Sequence, residues 1–128
     1  MRAVRPFLLL GLLAAFFALA QSQPEPGGGV NLLNFGKGAP TPTTGGVDVS
    51  VTNKPTTGYT CTEIKIKIVR VSDGQTLDSC TLTNPGAMVS KSFTGLGSGV
   101  KVNVVVQATF QNGGTLDFKD IETTVTTQ

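Results

Sequence analysis

Few residues in this chain are equipped for chemistry. Cys61 and Cys80 are its two thiols, and it contains no histidine. Without an imidazole there is no Ser-His-Asp or Cys-His arrangement, no base to activate a thiol and no imidazole metal ligand. Carboxylates gather at Asp73 and Asp78, and again at Asp117, Asp120 and Glu122. Oxygen ligands of this kind suit calcium, but the spacing matches no calcium loop and reads instead as solvated strand faces. The stretch "GLGSG" at 95–99 has no helix to open, so it reads as a turn rather than a phosphate cradle. No catalytic, cofactor-binding or metal-binding residue is assigned. The chain is read as a non-enzyme without cofactors.

Other residues point to contact rather than catalysis. Tyr59, the sole tyrosine, lies in "NKPTTGYTCT", where an aromatic serves either as a contact anchor or as packing at the rim of the fold. Lys65 and Lys67 alternate with isoleucines and point outward with Lys101. They form a small basic stripe, or simply keep an exposed sheet soluble.

The front of the chain sets the compartment. "MRAVRPFLLLGLLAAFFALAQS" carries Arg2 and Arg5, then an apolar run from Phe7 to Leu19, then Ala18-Leu19-Ala20. These are the three parts of a secretory signal peptide, with cleavage expected before Gln21. An apolar run of thirteen residues is short for a bilayer span, which needs about 20. Residues 1–20 are therefore read as signal peptide, 21–29 ("QSQPEPGGG") as a Pro/Gly-rich spacer, and 30–128 as one domain. The expected product is secreted and extracellular, or periplasmic in a bacterium, with no stable membrane anchor after cleavage.

The whole chain has ten basic and eight acidic residues, and the leader removes Arg2 and Arg5, leaving eight of each. A neutral domain has no broad electrostatic attraction to nucleic acid or anionic lipid. No Asn-x-Ser/Thr acceptor for N-glycosylation occurs. "GKGAPTPTTGG" at 36–46 reads as a long edge loop, or as a Thr/Pro segment open to O-glycosylation.

From Val47 onward the hydrophobic period is two. "VDVSV" places Val47, Val49 and Val51 on one face, and "EIKIKIVRV" does the same with Ile64, Ile66 and Ile68. In "GVKVNVVVQATF" the apolar face is Val100, Val102, Val104, Val106, Ala108 and Phe110, which marks a long central strand lining the core. "SDGQ" suits a two-residue hairpin turn at Asp73-Gly74, and "QNGG" turns the chain into a last strand, "TLDFKDIETTV". There the apolar parity changes between Leu116/Phe118 and Ile121/Val125, so a bulge is expected near Lys119. Six or seven short strands with regular turns and no helix predict a single antiparallel β-sandwich.

In an exported chain the pair Cys61 and Cys80 reads as a disulfide. Closing that 20-residue loop contributes about 3 kcal/mol in the chain-entropy account. The tight turn argues against it, because it sets Cys80 opposite Lys67, six residues or about 20 Å along the strand from Cys61. A looser hairpin, a chain that folds back around "GYTCT", or reduced cysteines each resolve the conflict.

The segment from Phe93 to Gly114 resembles strands E to G of a fibronectin type III domain. Leu96 is followed at six, ten and twelve positions by Val102, Val106 and Ala108, then by the "NGG" hairpin and a Thr/Val strand. Val102 stands where that family has tyrosine, and the chain has no tryptophan. The resemblance implies a fibronectin-III-like or immunoglobulin-like sandwich over about Val47 to Thr126, and fold alone implies no function.

The functional expectation is a secreted, non-catalytic binding or adhesion module whose partner is an extracellular protein or glycan. The alternatives are a hydrolase inhibitor or host-directed effector presenting the loop at 53–60, and a carbohydrate-binding module. The last is disfavoured by the scarcity of aromatic residues for a sugar platform.

Overall fold

A computed structural model describes residues 31–128. The expected signal peptide, the spacer and Val30 lie outside the described residues. Eight strands occur among those described: β1 Leu32–Phe35, β2 Thr41–Thr43, β3 Gly46–Lys54, β4 Thr60–Arg70, β5 Thr76–Thr83, β6 Met88–Phe93, β7 Lys101–Asn112 and β8 Thr115–Thr126. A single 3-10 turn, Gly36–Gly38, separates β1 from β2.

The strands form two antiparallel sheets. In the first, β3 is central: β6 runs along one edge, and β1 and β2 follow one another along the other. In the second the order is β5-β4-β7-β8. Residues from both sheets enter one buried cluster, an arrangement compatible with a β-sandwich. Val47, Val49, Val51 and Phe93 come from the first sheet, and Ile64, Ile66, Ile68, Val102, Val104, Val106 and Phe110 from the second. The alternation expected for β3, β4 and β7 is present: Val102, Val104, Val106 and Phe110 are wholly enclosed, while Gln107 is exposed and Asn103, Val105 and Thr109 are half-buried. β-branched side chains on a strand face that meets no water give this pattern its driving force.

Four sequence expectations need correction. The Thr/Pro segment is not one long loop. Lys37 and Gly38 turn the chain with φ of 60° and 85°, after which Thr41–Thr43 pairs with β3. Pro42 is tolerated there because an edge strand leaves one side of its backbone unpaired.

The hairpin between β4 and β5 is also wider than two residues. Arg70 N–H donates to the Gln75 carbonyl at 2.8 Å, leaving 71–74 as a four-residue loop with Gly74 at φ 73°. Arg70 holds this loop from its side chain as well, through Asp73 at 2.7 and 3.0 Å and Gln75 Oε1 at 2.7 Å.

No bulge occurs at Lys119, since β7 and β8 pair without a register shift from Lys101↔Thr126 to Asn112↔Thr115. The irregularities fall in the pairings of β4 instead: between Ile68 and Val69, where Leu77 of β5 is the extra residue, and between Cys61 and Glu63, where Thr62 of β4 is. Leu116 and Phe118 therefore do not rejoin the core. They stay on the outward parity, 51% and 64% exposed.

The disulfide is not formed. Cys61 and Cys80 are free thiols. Cys80 pairs across from Ile66, which lies five residues along β4 from Cys61, or about 17 Å. A bridge needs Cα atoms within about 7 Å.

Candidate binding surface

Strand register sets up the outer face of the second sheet. Successive residues of a strand point to opposite faces, so each core-facing residue of β4 and β7 leaves its neighbour pointing outward. Cross-strand pairing then aligns the outward residues in rows. Lys65, Gln107 and Asp120 make one row, and Lys67, Val105 and Glu122 the next. Beside them lies the row of Glu63, Thr109 and Phe118.

The chemistry of this face has two parts. Its charges are partly sorted: Lys65 and Lys67 stand on β4 and Asp120 and Glu122 on β8, separated by β7, while Glu63 on β4 and Lys101 on β7 depart from the pattern. Two strand spacings, about 9.6 Å, keep the columns apart. Neither lysine has an ion-pair partner among the described residues, where the salt bridges are Arg70–Asp73 and Lys119–Asp117. The second part is apolar. Phe118 overhangs a shallow depression of about 380 Å³ lined by Glu63, Lys65, Gln107, Thr109 and Asp120. An exposed aromatic ring beside open charges is the composition of a contact patch, since aromatic anchors supply most of the area that a partner desolvates.

The outer face of the first sheet is different. Ser50 and Ser90 hydroxyls meet at 3.1 Å, and the Ser92 hydroxyl donates to Asp48 at 2.7 Å. Its polar groups are turned toward one another.

Of the residues singled out from sequence, Lys65 and Lys67 do stand together on the outer face of β4, between β5 and β7. Lys101 shares that face near its far end, four residues along β7 from Val105, or about 13 Å. Tyr59 does not join them. It is half-buried against the core, and its N–H donates to the Thr56 carbonyl at 2.8 Å within the β3–β4 loop. The acidic group on β8 is divided as well: Asp117 has the inward parity of Phe110, and Asp120 and Glu122 the outward parity of Gln107 and Val105.

The free thiols are held away from reactivity. Burial pushes Cys61 up, against a contact from its Sγ to the Glu63 carbonyl at 3.7 Å that acts in the opposite direction. Burial likewise raises Cys80, opposed by the Lys91 ammonium. Both remain thiols at neutral pH.

Sequence reasoning missed Phe118, Gln107, Asp120 and Glu122 as members of one surface. The signal was present in the "NGG" turn. Taking Gly113-Gly114 as a two-residue loop pairs Asn112 with Thr115, and counting back sets Phe118 opposite the outward Thr109.

Loops at one end of the fold are tied by buried polar side chains. Asn31 donates to the Asp117 carboxylate at 2.8 Å and accepts from the Thr56 N–H at 2.7 Å. Asn53 donates to the Gly86 carbonyl at 2.7 Å. At the opposite end Thr127 bridges the Gly97 carbonyl and the Val100 N–H at 2.6 and 2.9 Å.

Compared with known proteins, the chain matches no family model, no curated protein and no solved structure.

Proposed function

We propose that this chain is a secreted, non-catalytic binding or adhesion module built on a fibronectin-III-like β-sandwich. The observation that carries the reading is Phe118. A ring 64% exposed on a regular strand, near lysines and carboxylates that make no ion pair with one another, contributes nothing to the core and is suited to a partner. The strand order supports the sandwich type. β3 between β6 and the split β1/β2 edge, with β5-β4-β7-β8 opposite, is the order of strands A-B-E and C′-C-F-G in the family that strands E to G resemble. The signal-like leader supports an extracellular setting, and the partner is an extracellular protein or glycan.

The test is binding of labelled protein to cell surfaces and to a glycan array, wild type against Phe118→Ala and Lys65→Glu. Surface or glycan retention lost in both variants supports the reading. Inhibition of an extracellular hydrolase without any surface binding sinks it and favours a loop-presenting inhibitor. In the protein described here, the tyrosine of that loop is committed to packing rather than display.

A further inference from the structure

We infer that the partner of the β5-β4-β7-β8 face is a second copy of this chain, stacked face to face about a two-fold axis parallel to β7. The inference rests on the reading of this face as a binding surface and goes on to name what covers it. A two-fold axis lying between the stacked faces and along β7 returns each position at the same height on the opposite side of β7. It therefore lays β4 of one copy over β8 of the other. Lys65 then meets Asp120, and Lys67 meets Glu122, because each pair shares a row of the register. The symmetry makes each contact twice. Gln107 meets Gln107, an amide able to donate and accept, and Val105 meets Val105; Lys101 meets Lys101 only at the far end of β7, an unfavourable contact set against four favourable ion pairs.

The charge pattern selects this axis over its rival. An axis perpendicular to the strands would set β4 against β4: Lys65 and Lys67 then face one another, or Glu63 pairs with Lys65 and leaves Lys67 and the carboxylates of β8 without partners, so it makes fewer favourable contacts. Within one chain the columns are about 9.6 Å apart and do not pair, whereas two stacked sheets lie about 10 Å apart, a gap that opposed long side chains span from both sides. Phe118 of one copy comes to rest over the Glu63 row of the other, in the depression lined by Gln107 and Thr109, where the ring is removed from water. The arrangement is isologous, as closed two-fold contacts are.

The face measures about 14 Å across its strands and about 34 Å along β7, or roughly 500 Å² per partner. Stable interfaces bury about 800 Å² per partner, so the dimer falls in the weak, reversible class. Ion pairs at its rim make it salt-sensitive, weakening by about tenfold from low to high salt.

Sedimentation equilibrium of the purified protein over a concentration series tests the idea with two charge-reversed variants, Lys65→Glu/Lys67→Glu and Asp120→Lys/Glu122→Lys. Each alone places like charges across the axis and is expected to be monomeric. Mixed one to one, they restore all the pairs and are expected to form a heterodimer of wild-type affinity, which also shows that both variants are folded. A wild-type protein monomeric up to about 1 mM overturns the inference, since a dimer that weak covers the face at no concentration the protein meets. So does self-association that survives both reversals, or a mixture that stays monomeric. In each of those cases surface or glycan binding by the monomer would leave the binding-module reading standing, so the two fail separately.

Discussion

The two faces of the β5-β4-β7-β8 sheet are made by the same strands, residue by residue in alternation, yet they do different work. On the inner face Ile64, Ile66, Ile68, Val104, Val106 and Phe110 are closed from water. On the outer face the intervening positions hold Lys65, Lys67, Val105, Gln107, Asp120 and Glu122, and two aromatics separate cleanly: Phe110 is enclosed and Phe118 is 64% exposed. Apolar burial scales with area removed from water, so the inner column stabilises the fold and the outer column is free to be chosen for contact. The comparison shows that hydrophobicity on a strand reports function only after its parity is known.

The comparison breaks if the two aromatics behave alike on truncation. Phe110→Ala is expected to cost about 3–5 kcal/mol, enough to threaten a domain of this size, whereas Phe118→Ala is expected to fall within about 0.5 kcal/mol of wild type. Urea unfolding with a shared m-value measures both. A backbone substitution comes next. A Cβ at position 46 would collide with the Phe93 carbonyl oxygen where β3 and β6 meet. Gly46→Ala is thus expected to cost about 1–3 kcal/mol of stability, read as a lower urea midpoint at an unchanged m-value.

A polar clamp should rank just below. Asn31→Ala removes a donor from Asp117 and an acceptor from the Thr56 N–H, and leaving such groups unpaired costs about 1–3 kcal/mol. Its signature is faster hydrogen exchange at the Thr56 amide than the global loss explains.

The thiols sharpen the contrast without changing stability much. With no bridge present, native protein should take up alkylating reagent at half-buried Cys80 before enclosed Cys61, without any reductant. Intact mass would then show two modified cysteines once the chain is unfolded. A fully oxidised pair that resists alkylation in denaturant overturns the free-thiol assignment.

The smallest effect is acidic. The Arg70 side-chain hydrogen bond is the main cause holding Asp73 down at about 2 from an ordinary 3.8. A depressed carboxylate contributes stability that is present above 3.8 and lost as pH falls toward about 2. The pair is solvent-exposed, so the contribution is small, and Asp73→Asn should flatten that stretch of the acid-unfolding curve.

Much of this molecule was legible as pattern. Alternation over "VDVSV", "EIKIKIVRV" and "KVNVVVQATF" named the inner columns of β3, β4 and β7 residue by residue, because a pleated strand with one dry face permits no other spacing. Lys65 and Lys67 were legible as outward for the same reason. The last strand was harder. Its apolar residues, Leu116, Phe118, Ile121 and Val125, occur on both parities, and a reading that assigns every apolar side chain to the core must invent a bulge to reconcile them. Register with β7 removes that need and leaves Phe118 outside. Cys61 and Cys80 failed differently. Their pairing depended on loop width and on irregularities at Leu77 of β5 and Thr62 of β4, which no periodicity reveals.

By itself, then, the chain's order of residues determined which side chains face inward along each strand, since that follows from the two-residue repeat and the free energy of hiding β-branched carbons. Only the tertiary structure decided which strands lie side by side. That adjacency aligned Lys65 with Asp120 and Lys67 with Glu122 across β7, kept the two thiols apart, and left one ring in water. Neighbours in a sheet are settled by long-range hydrogen bonding and by the packing of both sheets into one core, and a local alternation of residues carries no record of either.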